Sequence, residues 1–535
     1  MIFKIVFSVP LLLSIILLYV ESRGTPFVET KNGRILGRTI EVTPWQLPED
    51  ETIAVEAYTK IPYAEPPVEE LRYKHPVKKV WMGELDATRP NVACPQLPYN
   101  GFTVEMEETE DCLYLDVFVP TPRPISAAVL VWIHGGGLQA GAGSVPEQLP
   151  IPLAYFGEVV VVTFNYRLGM FGFLNTGDGE IPANLGMFDQ REALIWVQEN
   201  IVAFGGDPLR VTIFGESAGG ASVNQHLVSP LSTGLFNGAI LQSGNALLES
   251  GLDTNLVDKT FKFGKGVGCD VNNSKDLVAC LRRKSWEELR NGYLKLFPDM
   301  VDKRVGCIVD GHFLPDEPVN LMLKGHLIII IGKKGDIFLK LADVFTDFFT
   351  CSENAFSSLM STAGKTVYNY NMTHIPSHSA LGPLKWAGAT HVEDIPYVFG
   401  SPLLRGREEG PKGMSGFFNG AEEAGLSRQI MRYWSNFAKS GDPNLSSKDP
   451  KVVNNPLGLE DWQPFTNEHP YYKELNHGFH TTEDVMKVKE CHFWTQILPK
   501  MIIQSFEMLN LKKMLTDQVA EQSSGTCDGD SCLEP

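Results

Sequence analysis

Beyond its first twenty residues the sequence has no apolar run approaching the roughly 20 residues that a membrane-spanning helix needs. The stretch Leu327 to Ile331 (LIIII) is far too short and reads as a buried strand. Positive charge is also in deficit: 46 lysines and arginines face 64 acidic residues, a formal net charge of −18. Such a chain repels phosphate backbones, so no nucleic-acid partner is expected, and the acidity is read first as solubility. There is no H-E-x-x-H and no paired C-x-x-C, so neither a metal nor a cofactor is expected. Internal repeats, long linkers and collagen-like, coiled-coil or disordered bias are all absent. Length and composition (43% hydrophobic, 21% charged) then suit one large globular unit. The tail 516–535 is polar, without the hydrophobic end that a lipid anchor would replace.

What is present begins with a leader. Lys4, an apolar core from Ile5 to Val20 and the small polar residues after it describe a signal peptide over 1–23, with a retained anchor as the alternative. Nine cysteines and sequons at Asn272, Asn371 and Asn444 agree with an oxidising, glycosylating compartment, and secretion is expected. From residue 24 to 515, β-branched runs alternate with helical patterns. That is the signature of a mostly parallel sheet covered on both faces. Ala128 to Ile133, Glu158 to Phe164, Val211 to Phe214, Phe236 to Ser243, Leu327 to Ile331 and Lys365 to Tyr370 read as strands. Asn184 to Val202, Ala221 to Leu227 and Glu423 to Lys439 read as helices. Lys500 to Leu515 reads as an amphipathic terminal helix that covers its own domain or pairs with a second copy in a homodimer.

Two glycine-rich segments carry chemistry. Gly215-Glu216-Ser217-Ala218-Gly219 follows the strand VTIF and opens a helix, the arrangement of a nucleophile elbow. Its glycines let a strand turn sharply into a helix, which lifts the serine hydroxyl clear of the sheet. His134-Gly135-Gly136-Gly137 follows the strand AVLVWI, and consecutive glycines there can present backbone N–H groups to a developing oxyanion. A serine nucleophile beside amide donors is the equipment of acyl transfer.

With these motifs the chain resembles the type-B carboxylesterase, bile-salt-activated lipase and cholinesterase family. The resemblance is carried by Glu110 to Val117 (EDCLYLDV), Phe164 to Gly169 (FNYRLG), Asn200 to Pro208 (NIVAFGGDP), Phe214 to Ser222 (FGESAGGAS), Val309-Asp310-Gly311, Trp386 to Gly400 (WAGATHVEDIPYVFG) and Tyr433 to Pro443 (YWSNFAKSGDP). It implies an α/β-hydrolase fold and hydrolysis of small-molecule or lipid carboxylic esters. Ser217 is then the nucleophile, His391 the general base, and the N–H groups of Gly136, Gly137 and Ala218 the oxyanion hole. It also implies disulfides Cys94–Cys112, Cys269–Cys280 and Cys351–Cys491. The first cysteine loop holds Tyr99 and Phe102 but not the tryptophan by which cholinesterases grip a quaternary ammonium.

The sequence departs from the family at one place. An acidic residue in a Glu-Gly turn should follow the strand at Leu327 to Ile331, but the chain continues Gly332-Lys333-Lys334-Gly335-Asp336. The expectation is that a segment is missing before His391. Asp336 is the nearby stand-in for the triad acid, whereas Glu393 and Asp394 lie too close along the chain to reach the far ring nitrogen. A non-catalytic binding protein or an inactive form is the alternative to an enzyme.

Overall fold

The computed structural model describes residues 25–491 apart from 45–51, 99–105, 146–148, 246–254, 299–304, 323–327, 335–340, 378–388, 390, 405–420, 445–460, 479–480 and 484–490. The leader, the 500–515 helix, the 516–535 tail, Tyr99, Phe102 and Asp336 therefore lie outside the described residues.

Fourteen strands are described. In chain order they begin β1 (Phe27–Thr30), β2 (Gly33–Leu36), β3 (Arg38–Val42), β4 (Ile53–Pro62) and β5 (Glu84–Asp86). Next come β6 (Tyr114–Pro120), β7 (Ala127–Ile133), β8 (Val160–Phe164), β9 (Gly206–Glu216) and β10 (Gly238–Gln242). The last are β11 (Ile328–Lys334), β12 (Val367–Met372), β13 (Tyr471–Leu475) and β14 (Thr481–Glu483). Strands β1, β2 and β5 form a small sheet, and the other eleven form one large sheet in the order β14-β13-β12-β11-β10-β9-β7-β8-β6-β4-β3. From β13 to β8 every neighbouring pair is parallel, while both margins are antiparallel. Parallel strands end on a common edge, where an open α/β sheet binds its ligands.

The central strands are apolar throughout because both of their faces are covered. All seven residues of β7 are buried, and they divide by parity between two cores. Ala127, Val129, Val131 and Ile133 join the core beneath the helices Leu185–Asn200 and Leu256–Gly266. Ala128, Leu130 and Trp132 join the opposite core, with the helices Ile151–Gly157 and Ala421–Ser440. The period of two is the side-chain alternation of an extended chain. All three expected disulfides form, and Cys307 is buried.

Candidate active site

The middle of the sheet sets the position of the elbow. Strand β9 lies between β7 and β10, with Gly215 opposite Ile133 and Glu216 opposite Gln242. The chain then turns in one residue: Ser217 has φ 58° and ψ −124°, and the Ala218–Val228 helix starts directly after it. A non-glycine residue there stores roughly 1–3 kcal/mol of strain. Two backbone bonds hold it, Ser217 N–H to Gln242 O at 2.8 Å and Ala221 N–H to Ser217 O at 2.9 Å. Gly219 is required by close approach, since a Cβ there would sit 2.1 Å from Ile133 O.

The glycine loop after β7 lies against this turn. A Cβ on Gly135 would fall 2.5 Å from Glu216 O and 3.1 Å from Ser217 Cβ, so only glycine lets the loop come this near. Gly136 and Gly137 have φ of 109° and 64°. Among the described residues no acceptor takes the N–H of Gly136, Gly137 or Ala218. The loop is anchored from below. The Tyr166 hydroxyl donates to His134 O at 2.8 Å, and the His134 ring stacks on Tyr166 with centroids 4.4 Å apart. Burial pushes the His134 imidazole down to about 4, so it is neutral near pH 7 and its role is to hold the loop.

His391 closes the arrangement. It stands just before the short Ile395–Phe399 helix, and Val392 beside it has φ 75°. Its Nε2 is 2.8 Å from Ser217 Oγ. Its Nδ1 is 2.9 Å from Glu216 Oε1. The His391 side chain is 34% exposed, while that of Glu216 is 1% exposed. Oε1 thus meets the ring at ion-pair distance.

Asp394 belongs to a separate buried network. Its Oδ2 accepts from Gln242 Nε2 and from the Tyr370 hydroxyl, each at 2.9 Å, and Gln242 Oε1 accepts from Trp434 Nε1 at 3.3 Å. Burial, then the charge of Asp394 and its hydrogen bond, then the charges of Glu353 and Glu216 push the Tyr370 phenol far up, so it stays a proton donor. This network fixes the end of β10, against which the elbow is bonded. His226 is buried between Ser232 Oγ and Gln190 Oε1, at 2.8 and 3.0 Å, and plays a packing role. His477 lies 3.9 Å from Glu422.

Ser217, His391, Gly136, Gly137 and Ala218 are thus on adjoining segments at one sheet edge. Glu216 was not anticipated from sequence. Its only signal was its place inside the elbow motif, and neighbouring side chains of an extended strand point to opposite faces, so nothing in the spacing aims it at a histidine. Of the sequons, Asn272 is exposed ahead of the Ser274–Arg282 helix, Asn371 is half-buried within β12, and Asn444 is tied to the Trp462 backbone.

A parallel sheet with helices on both faces, a strained serine at a strand end and a facing histidine define a hydrolase of the α/β class. A profile of the carboxylesterase family matches residues 24–336 and 332–494. The chain belongs to the carboxylesterase family, whose fold is the α/β-hydrolase fold and whose general chemistry is hydrolysis of carboxylic esters. It is 33% identical to an acetylcholinesterase of Bungarus fasciatus, over 89% of this chain and 87% of that one. To an acetylcholinesterase of Danio rerio it is 32% identical, over 89% and 88%. The first alignment runs to 554 positions against 535 residues in this chain, so the relative carries residues that have no counterpart here. The two family matches meet at 332–336, at the end of β11. No helix of the described residues is long and apolar enough to cross a membrane.

Proposed function

We propose that this protein is a secreted serine carboxylesterase that works through an acyl-enzyme on Ser217. His391 Nε2 takes the hydroxyl proton as Oγ bonds to the ester carbonyl carbon. The N–H groups of Gly136, Gly137 and Ala218 stabilise the oxyanion. The proton then passes from Nε2 to the departing alkoxide, and a water molecule activated by the same nitrogen releases the acid. The observation that carries this reading is the 2.8 Å approach of Nε2 to Ser217 Oγ at a strained, half-buried elbow. The relatives are named for acetylcholine. The missing tryptophan between Cys94 and Cys112 favours uncharged small-molecule or lipid esters for this chain. The leader and three disulfides support export.

The test is fluorophosphonate labelling together with turnover of a short-chain nitrophenyl ester. Wild type is expected to label and turn over, and Ser217→Ala to do neither. A folded wild type that resists the probe sinks the reading.

A further inference from the structure

We propose that Glu216, the residue immediately before the nucleophile, is the carboxylate that orients His391, in place of the acid that its family is expected to carry after β11. The inference rests on the serine-hydrolase reading above. No Glu-Gly turn follows β11 in the sequence, and the two family matches meet at that point. The far nitrogen of the imidazole nevertheless has a carboxylate beside it, Glu216 Oε1 at 2.9 Å.

How two consecutive residues can both reach one ring follows from the backbone. In a continuing strand their side chains would diverge. Here β9 stops at Glu216 and Ser217 takes φ 58°, which ends the alternation. The imidazole offers its two nitrogens on different edges, one to each residue. The Glu216 Cα is in parallel register with Gln242, whose carbonyl also accepts the Ser217 N–H. Acid and nucleophile therefore share one support.

Energetically, a carboxylate that is 1% exposed is unfavourable unless a cation or donors face it. An imidazolium 2.9 Å away meets that need, and during the reaction it forms as Nε2 accepts the serine proton. Glu216 thus favours the charged state of His391 in the transition state, without itself taking a proton. The proton leaves Oγ as the Oγ–carbon bond forms and goes to the alkoxide as the ester C–O bond breaks. Asp394, another buried carboxylate near by, is committed to Gln242 and Tyr370. Because Glu216 acts through His391, it is a positioning residue. Removing the carboxylate of a serine triad costs on the order of 10⁴ in turnover, which is the upper bound on the effect expected here.

The experiment compares wild type with Glu216→Gln, Glu216→Asp and Asp336→Asn, each checked for a native melting transition. Glu216→Gln is expected to lower kcat by roughly 10²–10⁴-fold with little change in KM, and to move the acid limb of the kcat/KM profile to lower pH. Glu216→Asp should restore part of the loss. The proposal is overturned if Glu216→Gln keeps kcat within about 3-fold with an unmoved acid limb, or if the loss follows Asp336→Asn instead. Should wild type show neither labelling nor turnover, the hydrolase reading fails by itself. The His391 titration followed by NMR still decides the present point. A lower midpoint in Glu216→Gln than in wild type supports the contact, and equal midpoints overturn it.

Discussion

At Asn444 both ends of the side-chain amide are occupied: Nδ2 donates to Trp462 O at 3.0 Å and to Asp442 Oδ1 at 2.8 Å, and Oδ1 accepts the Trp462 N–H at 2.6 Å. A glycan on Nδ2 would break this bridge and displace the buried Trp462, which in turn donates from Nε1 to Asn369 O at 2.9 Å. Asn371 lies inside β12, opposite Lys333 on one side and Glu474 on the other. Only Asn272 is exposed on a bend. Folded, secreted protein is therefore expected to carry sugar at Asn272 and none at Asn444 or Asn371. Peptide mass spectrometry after enzymatic deglycosylation in heavy water reads this directly, and occupancy at Asn444 would refute it. The same contrast shows what single residues disclose in advance. Ser217 and the glycine triplet were legible from their places directly after strands, and His391 only through the family motif around it. Glu216 was not, because its direction depends on a one-residue reversal of φ. The sequons at Asn371 and Asn444 satisfy the motif as well as that at Asn272 does, since a sequon records composition and not exposure.

His391 lies between β12 and the short helix Ile395–Phe399, and one side chain clamps described residues on either side of it. Glu423, in the first turn of the helix Ala421–Ser440, accepts from His374 Nε2 at 3.2 Å and from Ser377 N–H and Oγ at 2.7 and 2.6 Å. Those residues precede the histidine. Glu423 also accepts from the Tyr397 hydroxyl at 3.0 Å, beyond it. Burial pushes the Glu423 carboxyl up, but the four donors outweigh it and hold the group down at about 2. Glu423→Ala leaves those donors buried and both sides of His391 untied, a destabilisation of roughly 3–5 kcal/mol. It should also lower kcat, by loosening His391, more than it raises KM. Glu423→Gln, which keeps an acceptor, should lie between. Melting curves and initial rates check both, and an alanine variant with wild-type kcat would show that the clamp does not govern the histidine. Strands such as β7 and β8 were readable from their short, almost wholly apolar runs rich in β-branched residues. This clamp was not, because Glu423 looks like an ordinary acidic residue at a helix start. The small β1-β2-β5 sheet was equally hidden, since only Val28 and Ile35 of its two leading strands are buried.

At the scale of the whole molecule two effects of acid oppose each other. The chain carries a net charge of −18 near neutrality, and lowering the pH towards its isoelectric point of about 5.2 relieves that self-repulsion. Two fully buried imidazoles work the other way. Burial pushes His134 down to about 4, and burial together with the Arg191 charge pushes His226 down to about 3. Unfolded, both would titrate near 6.5. Between the unfolded and folded values the unfolded chain binds more protons, so stability rises with pH across that window. The contribution is fully present above about 6.5 and is lost as the pH falls towards 4 and then 3. At pH 5 the loss amounts to roughly 2 kcal/mol for each histidine relative to pH 7. Surface charges are screened within about 8 Å at physiological salt, whereas the buried imidazoles have no such relief. The buried groups should win. The urea midpoint is expected to fall between pH 7 and pH 5 even as net charge is lost. His226→Gln, which removes one titrating group, should be less stable than wild type at pH 7 and lose less on going to pH 5. A midpoint that holds or rises over this range would mean that relief of surface repulsion governs instead.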